Sequence, residues 1–530
     1  MFDFAIKGGL IVDGTRQKAY RATVYLRDGV IAAISSDDRL PCAQAIDAEG
    51  LIVAPGFIDL HTHSDAAPYC GPNFESAVYQ GVTFHVAGNC GSSLVPNNPK
   101  TRAHAFLGRT KQYYVNATDG EDSSACDMDS YKQEVQALTL PINFGTLIGH
   151  GTLRYQAMGN DRGEPAPEQL AHMQELLDRN MSQGAFGLSL GLTYLPGRYS
   201  KIEELIALAR VVQAHDGIVA VHMRSESAKV FEAVEEMLRV ARETGVKLHI
   251  SHLKLMWKAQ WGQTDRLLQM LDDGRAAGLV ITADQYPYCA SSTGAQSLLP
   301  AFAKEGSKEA FVARFDDPAT YERIKQGVIE SIELRGGPHT TTIANTRGQL
   351  PEADGKHLGE LAEMWGVAPA DAYCRVMREC AGGATAVYHA MDLPDVLQIM
   401  RRLDVAVGSD GYAHDYLTKP VLGKPHPRSV GTFPRFIQTV RENNLLSLED
   451  MVYKMTGLPA SILGLSNIGE IKPGLPGDLT VFDYQAVQDC ATFQSPSVKP
   501  AGIQHVFVSG KPVLLDGAQT GERNGRFITK

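Results

Sequence analysis

Pro55-Gly56-Phe57-Ile58-Asp59-Leu60-His61-Thr62-His63 decides how the chain is read. The apolar run Leu51-Ile52-Val53-Ala54 enters it, resumes after Pro55-Gly56 as Phe57-Ile58, and stops at two histidines one residue apart. Side chains of an extended segment alternate between faces, so His61 and His63 project together from the end of a buried strand. Two imidazoles converging at a strand end suit a transition metal. An isolated His-x-His is equally well an exposed turn. The apolar strand before this one, and the residues below, decide against that reading.

Outward from this stretch, apolar strands alternate with amphipathic helices, the pattern of βα units around a parallel sheet. Candidate strands cover 57–60, 83–88, 143–148, 185–189, 218–221, 247–251, 279–283, 385–388 and 404–408. One helix is expected over 203–215. Another ends at Thr244, with Ser227 as its N-cap and Val230, Ala233, Val234, Met237, Leu238 and Val240 at helical spacing. Nine strands are one too many for an eight-stranded barrel, so 385–388 is either the seventh strand or a satellite. Residues from about 288 to 350 lack a βα rhythm and read as an inserted lid subdomain.

The two ends of the chain share a different texture. Asp13-Gly14 and Asp28-Gly29 separate short β-rich runs near the N-terminus, a strong hairpin signal. Leu479-Thr480-Val481-Phe482 and His505-Val506-Phe507-Val508 look alike near the C-terminus. Neither piece closes a core alone. The expected fold is therefore α/β, a (β/α)8 TIM-like barrel over 56–464. A small β-sandwich domain is expected from 1–55 plus 465–530.

Composition narrows the function. Hydrophobic residues at 44% and charged ones at 21% fit a soluble globular chain, and 530 residues exceed one ordinary domain. A net charge of −10 argues against nucleic acid or an anionic membrane as main partner, and no apolar run is long enough to span one. The first seven residues read as a strand rather than a signal peptide. Eight scattered cysteines without a Cys-x-x-Cys pair read as reduced thiols, so the cytoplasm is the expected compartment.

A barrel of this kind carries its site at the C-terminal ends of its strands. Those ends hold His61 and His63, Cys90 in Gly88-Asn89-Cys90-Gly91, His222, Asp284 and, after Val405-Ala406-Val407-Gly408-Ser409, Asp410. His249 and His252 compete at one strand; His252 lies nearer its end and is preferred. Singly, each has a dull explanation: a packed thiol, a histidine paired to backbone, an Asp-Gly turn. Together on one edge they match a one- or two-zinc site with a carboxylate free to handle protons.

Pro55 to His63, strand-end His222 and His252, Ser409-Asp410, and the terminal Gly474-Leu475-Pro476-Gly477-Asp478-Leu479-Thr480-Val481-Phe482 resemble the amidohydrolase superfamily. Most of its subfamilies carry a carboxylated lysine on the fourth strand, and the matching stretch here, 187–194, has none. Gly88-Asn89-Cys90-Gly91, His222-Met223-Arg224-Ser225-Glu226, Ser251-His252-Leu253-Lys254, Asp284-Gln285-Tyr286-Pro287-Tyr288 and 425–433 resemble the N-acyl-D-amino-acid deacylases (D-aminoacylases). Two departures are Leu253, where that family often has a second histidine, and a long stretch from Asp410 to Arg428.

The resemblance implies zinc-dependent hydrolysis of N-acyl-D-amino acids to a carboxylate and a free D-amino acid. By it, Cys90, His222 and His252 hold a tight zinc, while His61 and His63 contribute to a second, weaker position that Cys90 bridges. Asp410 serves as general base and then acid. Lys254, Tyr194, Tyr286 and Arg428 become candidates for the substrate carboxylate. A cyclic-amide hydrolase of the hydantoinase or dihydropyrimidinase type is the alternative, disfavoured by the missing lysine. A non-catalytic scaffold is a more distant one, since such a chain should have lost its ligands. The expected partner is a small N-acyl amino acid; oligomeric state and side-chain preference stay open.

Overall fold

The structure, a computed structural model, describes residues 1–98, 123–159 and 161–530. Eight parallel segments carry the site: β1 (Phe57–Asp59), β2 (Val82–Ala87), β3 (Asn143–Thr146), β4 (Gly187–Gly191), β5 (Ile218–His222), β6 (Lys247–Ile250), β7 (Ile281–Gln285) and β8 (Val405–Val407). Each pairs in parallel with the next through β3, and β4 through β8 do the same. Ile148–Gly149, just beyond β3, pairs with β4 and joins the two runs. Past the end of β8, the Asp410 N–H donates to the His61 carbonyl (2.9 Å) and the His63 N–H to the Gly411 carbonyl (2.8 Å). The last segment thus returns to the first, and the architecture is α/β of the TIM-barrel type.

Buried strands in such a sheet read as apolar runs because both faces are covered. Val219, Val221, Leu248, Ile250 and Ala283 are all buried in this way. Outside them, the helix Val230–Thr244 buries Val230, Ala233, Val234, Met237, Leu238, Val240 and Ala241 on one face. It stops at Gly245, whose φ of +70° favours glycine and lets its N–H bond the Ala241 carbonyl. The expected cap is corrected: Lys229, not Ser227, precedes the first turn, and the Ser227 carbonyl accepts from the Val230 N–H.

Thr385–Tyr388 is a satellite strand. It pairs antiparallel with Ser291–Gly294 on one side and Thr341–Asn345 on the other, outside the parallel run. Its Ala386 and Tyr388 pack with Phe311, Phe315, Ile324, Leu361, Tyr373 and Met377 in a core separate from that of the barrel-type strands. Strands from both chain ends share a seven-stranded sheet, in which Leu479–Phe482 pairs antiparallel with Ile52–Pro55. The final residues run back along β3: Phe144 N–H bonds the Arg526 carbonyl, and Ile528 N–H bonds the Phe144 carbonyl.

No helix among the described residues is long and apolar enough to cross a membrane.

Candidate active site

Cys90 Sγ lies 3.4 Å from His61 Nε2, 3.7 Å from His222 Nδ1 and 3.5 Å from His252 Nε2. Two groups able to hold a metal ion therefore share one sulfur: Cys90, His222 and His252, and His61, His63, Cys90 and Asp410. A tetrahedral zinc with Zn–S near 2.3 Å and Zn–N near 2.0–2.1 Å separates sulfur from nitrogen by about 3.6 Å. The three sulfur–nitrogen distances match that spacing. His222 Nδ1 and His252 Nε2 stand closer, at 2.8 Å. A thiolate with imidazoles, buried at the end of the strands, is the donor chemistry of a zinc site.

The loop carrying Cys90 is strained into place. Cys90, His252 and Asp410 all have φ values near +40° to +52°, a conformation uncommon for residues with a side chain. Such strain persists where surrounding structure imposes it, and here glycine permits it. A Cβ on Gly191 would stand 2.1 Å from the Cys90 carbonyl oxygen, so β4 must end in glycine to let the loop pass. Ser189, on the same strand, accepts from the Gly91 N–H (3.0 Å) and donates to the Gly88 carbonyl. A serine and a glycine of β4 thus seat the cysteine.

Behind the ligands stand carboxylates that orient them. Asp284 accepts from His61 Nδ1 (2.9 Å), His249 Nε2 (2.9 Å) and the His252 backbone N–H (2.7 Å). His249, the rival of His252, thus lies in the layer beneath, with its Nδ1 2.8 Å from Thr282 Oγ1. Glu226 Oε1 is 2.8 Å from His252 Nδ1 and 2.6 Å from Lys254 Nζ. Lys254 Nζ also stands 2.8 Å from His252 Nδ1, so Glu226 and Lys254 together meet the ring nitrogen that faces away from sulfur. Asp59 accepts from the backbone N–H groups of His61 and Ser409, tying β1 to the end of β8.

Burial opposes ionisation of the Cys90 thiol, yet the charges of His61 and His252 with hydrogen bonds from His222 and His252 hold its pKa well below the usual value. Glu226 and Asp284 behave alike. Burial raises each, but the charges of Lys254 and His252 outweigh it at Glu226, and the charge of His61 with hydrogen bonds from His249 and His61 outweighs it at Asp284, so both stay ionised. At Asp59 burial wins and pushes the carboxyl up to about 7.

Asp410 Oδ1 is 2.9 Å from His63 Nε2 and 3.5 Å from His61 Nε2, and its Oδ2 is 2.6 Å from Arg428 Nη1. Burial works against its charge, and Arg428 with the His63 hydrogen bond outweighs burial. The candidates for substrate contact gather here. The Arg428 guanidinium and the Lys254 ammonium lie 5.0 and 5.7 Å from the Tyr286 ring centre, and the buried Tyr286 hydroxyl has no hydrogen-bond partner among the described residues. Tyr194 packs its ring 4.7 Å from that of His222 and places its hydroxyl 3.2 Å from Thr293 Oγ1. Lys254 already spends its donors on Glu226 and the His252 carbonyl.

Glu226 and Asp59 are the site residues that sequence reasoning missed. Glu226 sits on an irregular loop four residues past a ligand, where no periodicity marks it; Asp59 lies inside the stretch first quoted, hidden by the histidines after it. Asp284 was visible as a strand-end acid, but nothing in its spacing said which histidines it would meet.

The family model described as "Amidohydrolase family" matches residues 44–355 and 384–514. The chain is 36% identical over 530 residues to the N-acyl-D-glutamate deacylase of Alcaligenes xylosoxydans xylosoxydans, covering 100% of this chain and 96% of that one. It is 34% identical to the D-aminoacylase of the same organism, covering 100% and 98%. A crystal structure of N-acyl-D-glutamate deacylase from Bordetella bronchiseptica, complexed with zinc and a phosphonate that mimics the tetrahedral intermediate, matches with a TM-score of 0.83. That match has 32% identity and covers all of both chains. The chain therefore belongs to the amidohydrolase family and, within it, to the group of D-aminoacylases and N-acyl-D-amino-acid deacylases.

Proposed function

We propose that this enzyme hydrolyses the amide bond of N-acyl-D-amino acids at a zinc centre held by Cys90, His222 and His252, with His61 and His63 at a second position. The observation that carries the reading is the Cys90 sulfur standing within 3.4–3.7 Å of three imidazole nitrogens from three different strand ends. When bound, zinc supplies a Lewis acid for the amide carbonyl and a means of acidifying water toward a pKa of about 7.

The rest falls to the chain's own residues. Asp410, ionised and beside His61 and His63, takes a proton from the attacking water at Oδ1 and returns it to the departing nitrogen as the C–N bond breaks. Arg428 and Tyr286 bind the substrate's α-carboxylate and so fix the amide over the metal ligands. A substrate that engages Arg428 loosens its hold on Asp410 and leaves that carboxylate the better base. Lys254 contributes charge to the same place while bracing His252 through Glu226. Tyr194 forms the wall beside His222.

The eight parallel segments are taken to close as a (β/α)8 barrel over 56–464, with the strands of 1–55 and 465–530 as a small β-domain. The 288–350 insertion is taken as a lid. Eight scattered cysteines without a Cys-x-x-Cys pair support a reducing compartment, the cytoplasm. A cyclic-amide hydrolase is disfavoured because Ser189 and Gly191 occupy the strand where a carboxylated lysine would stand.

The test is a paired assay of N-acetyl-D-amino acids, their L-enantiomers and hydantoins, run on the wild type and on Asp410→Asn. The D-series alone should turn over. Asp410→Asn should keep its metal and lose about a hundred- to ten-thousandfold in kcat. Hydantoin cleavage, or near-normal turnover by Asp410→Asn, would overturn the assignment.

A further inference from the structure

The helix Arg428–Asn443 begins at Arg428 and carries a proline, Pro434, in its second turn. Proline has no N–H, and its ring crowds the carbonyl four residues back, here that of Val430. The turn from Ser429 to Phe433 thus lacks one of its supports inside the helix and gains another from outside, Gln80. The Gln80 Nε2 donates to the Ser429 carbonyl at 3.0 Å, and its Oε1 accepts from the Phe433 N–H at 3.2 Å. These are the two backbone groups, four residues apart, that a helical hydrogen bond joins. Nε2 also donates to the Ser76 carbonyl at 2.7 Å. Buried at 2% exposure, the Gln80 amide spends both donors and an acceptor on backbone. No carboxylate offers two donors, so the residue type matters.

The braced turn faces the candidate site. Arg428 Nη1 stands 2.6 Å from Asp410 Oδ2, and Ser429 Oγ accepts from the Tyr412 N–H at 3.1 Å. The approach is close, since a Cβ on Gly411 would stand 2.9 Å from the Ser429 Cα. Ser76, at the other end of the same short segment, holds the loop after Asp410. Its N–H donates to the His414 carbonyl (3.0 Å), and its Oγ accepts from the His414 N–H (2.8 Å). Residues 76–80 therefore fasten both the loop that follows Asp410 and the helix turn opposite it. We propose that Gln80 is a positioning residue for hydrolysis: its amide, set against the first turn of the helix, fixes where Arg428 stands relative to Asp410. This inference rests on the deacylase reading above, in which Arg428 binds the substrate's α-carboxylate.

Two compounds read that placement: the N-acetyl-D-amino acid that the wild type cleaves best, and the same compound with its α-carboxylate converted to a primary amide. Cleavage of both is followed as acetate released. The readout is the acid-to-amide ratio of kcat/KM in the wild type, Gln80→Met and Gln80→Glu. A variant that only weakens the fold lowers both rates and leaves the ratio alone. Displacement of Arg428 lowers the ratio instead, about tenfold in each variant and mainly through KM for the acid. Pro434→Ala returns a donor to the Val430 carbonyl, and added to either Gln80 variant it should recover most of the ratio. Should Gln80→Met yield no folded protein, Gln80→Glu with and without Pro434→Ala decides on the same measurement. A ratio that stays at the wild-type value, with the acid still cleaved, overturns the positioning role and leaves the deacylase reading intact. A wild type that cleaves acid and amide alike has no carboxylate contact to position, and overturns it too. If the wild type cleaves no N-acetyl-D-amino acid, the deacylase reading fails and the role of Gln80 falls with it.

Discussion

Around Cys90 Sγ, His222 and His252 stand on one side and His61, His63 and Asp410 on the other, and the two sides are anchored differently. On the first side both imidazoles point at sulfur, and Glu226 holds the far nitrogen of His252. On the second, His61 points at sulfur, and His63 Nε2 faces Asp410, which is itself paired with Arg428. On the reading proposed above, the first group would serve only to hold a cation. The second shares its donors with Asp410, the proposed proton carrier, so a cation there would compete with Asp410 for His63 and with Arg428 for Asp410. On that reading, the difference would make one position necessary to the chemistry and the other a position that adjusts it.

The sharpest way to break this comparison is to remove one ligand from each side. Cys90→Ser takes away the sulfur common to both and should abolish tight metal binding, with activity down about a thousandfold or more. His63→Asn should leave about one equivalent of tightly held metal per chain and retain measurable turnover. Elemental analysis after dialysis, alongside a turnover assay, distinguishes them. Equal metal loss in both variants would show the two positions to be one.

A smaller effect sharpens the comparison from the layer behind the ligands. Glu226→Gln touches only the first side and should weaken the tight site about 10- to 100-fold. Asp284→Asn touches both, because Asp284 accepts from His61 Nδ1 and from the backbone N–H of His252. It should therefore weaken both positions by a similar factor. Competition with a chromophoric chelator reads the two affinities. Should Asp284→Asn lower one affinity alone, the carboxylate is not the hub that links them.

Much of this arrangement was legible in the chain. The i and i+2 spacing of His61 and His63, the strand-end placement of His222, His252 and Asp410, and the Gly88-Asn89-Cys90-Gly91 loop mark the candidate metal site in the sequence alone. Legibility failed where partners are distant and aperiodic. Glu226 meets His252 across loops, and the antiparallel pairing of Thr385–Tyr388 depends on strands about 45 and 90 residues upstream. A short apolar run announces a strand but not its partner, so 385–388 could be counted but not placed. The missing lysine was equally visible; what had replaced its function in seating an anionic ligand was not, since that depends on the backbone of β4 touching the backbone of the cysteine loop.

That contact supports the mildest test. Ser189 is fully buried and makes two hydrogen bonds, from the Gly91 N–H and to the Gly88 carbonyl, on either side of Cys90. Ser189→Ala removes both and leaves a buried N–H unsatisfied, a loss of about 1–3 kcal/mol. Cys90 holds a φ of +52°, which only the surrounding contacts enforce, so part of that energy is lost from the ligand geometry rather than from the fold at large. Metal affinity should fall several-fold, and the melting temperature of the metal-loaded protein should fall by a few degrees. A variant that melts lower but binds metal as tightly as the wild type would mean that Ser189 supports the strand alone. In that case Gly191, which lets the loop pass within 2.1 Å of where a Cβ would stand, carries the positioning by itself.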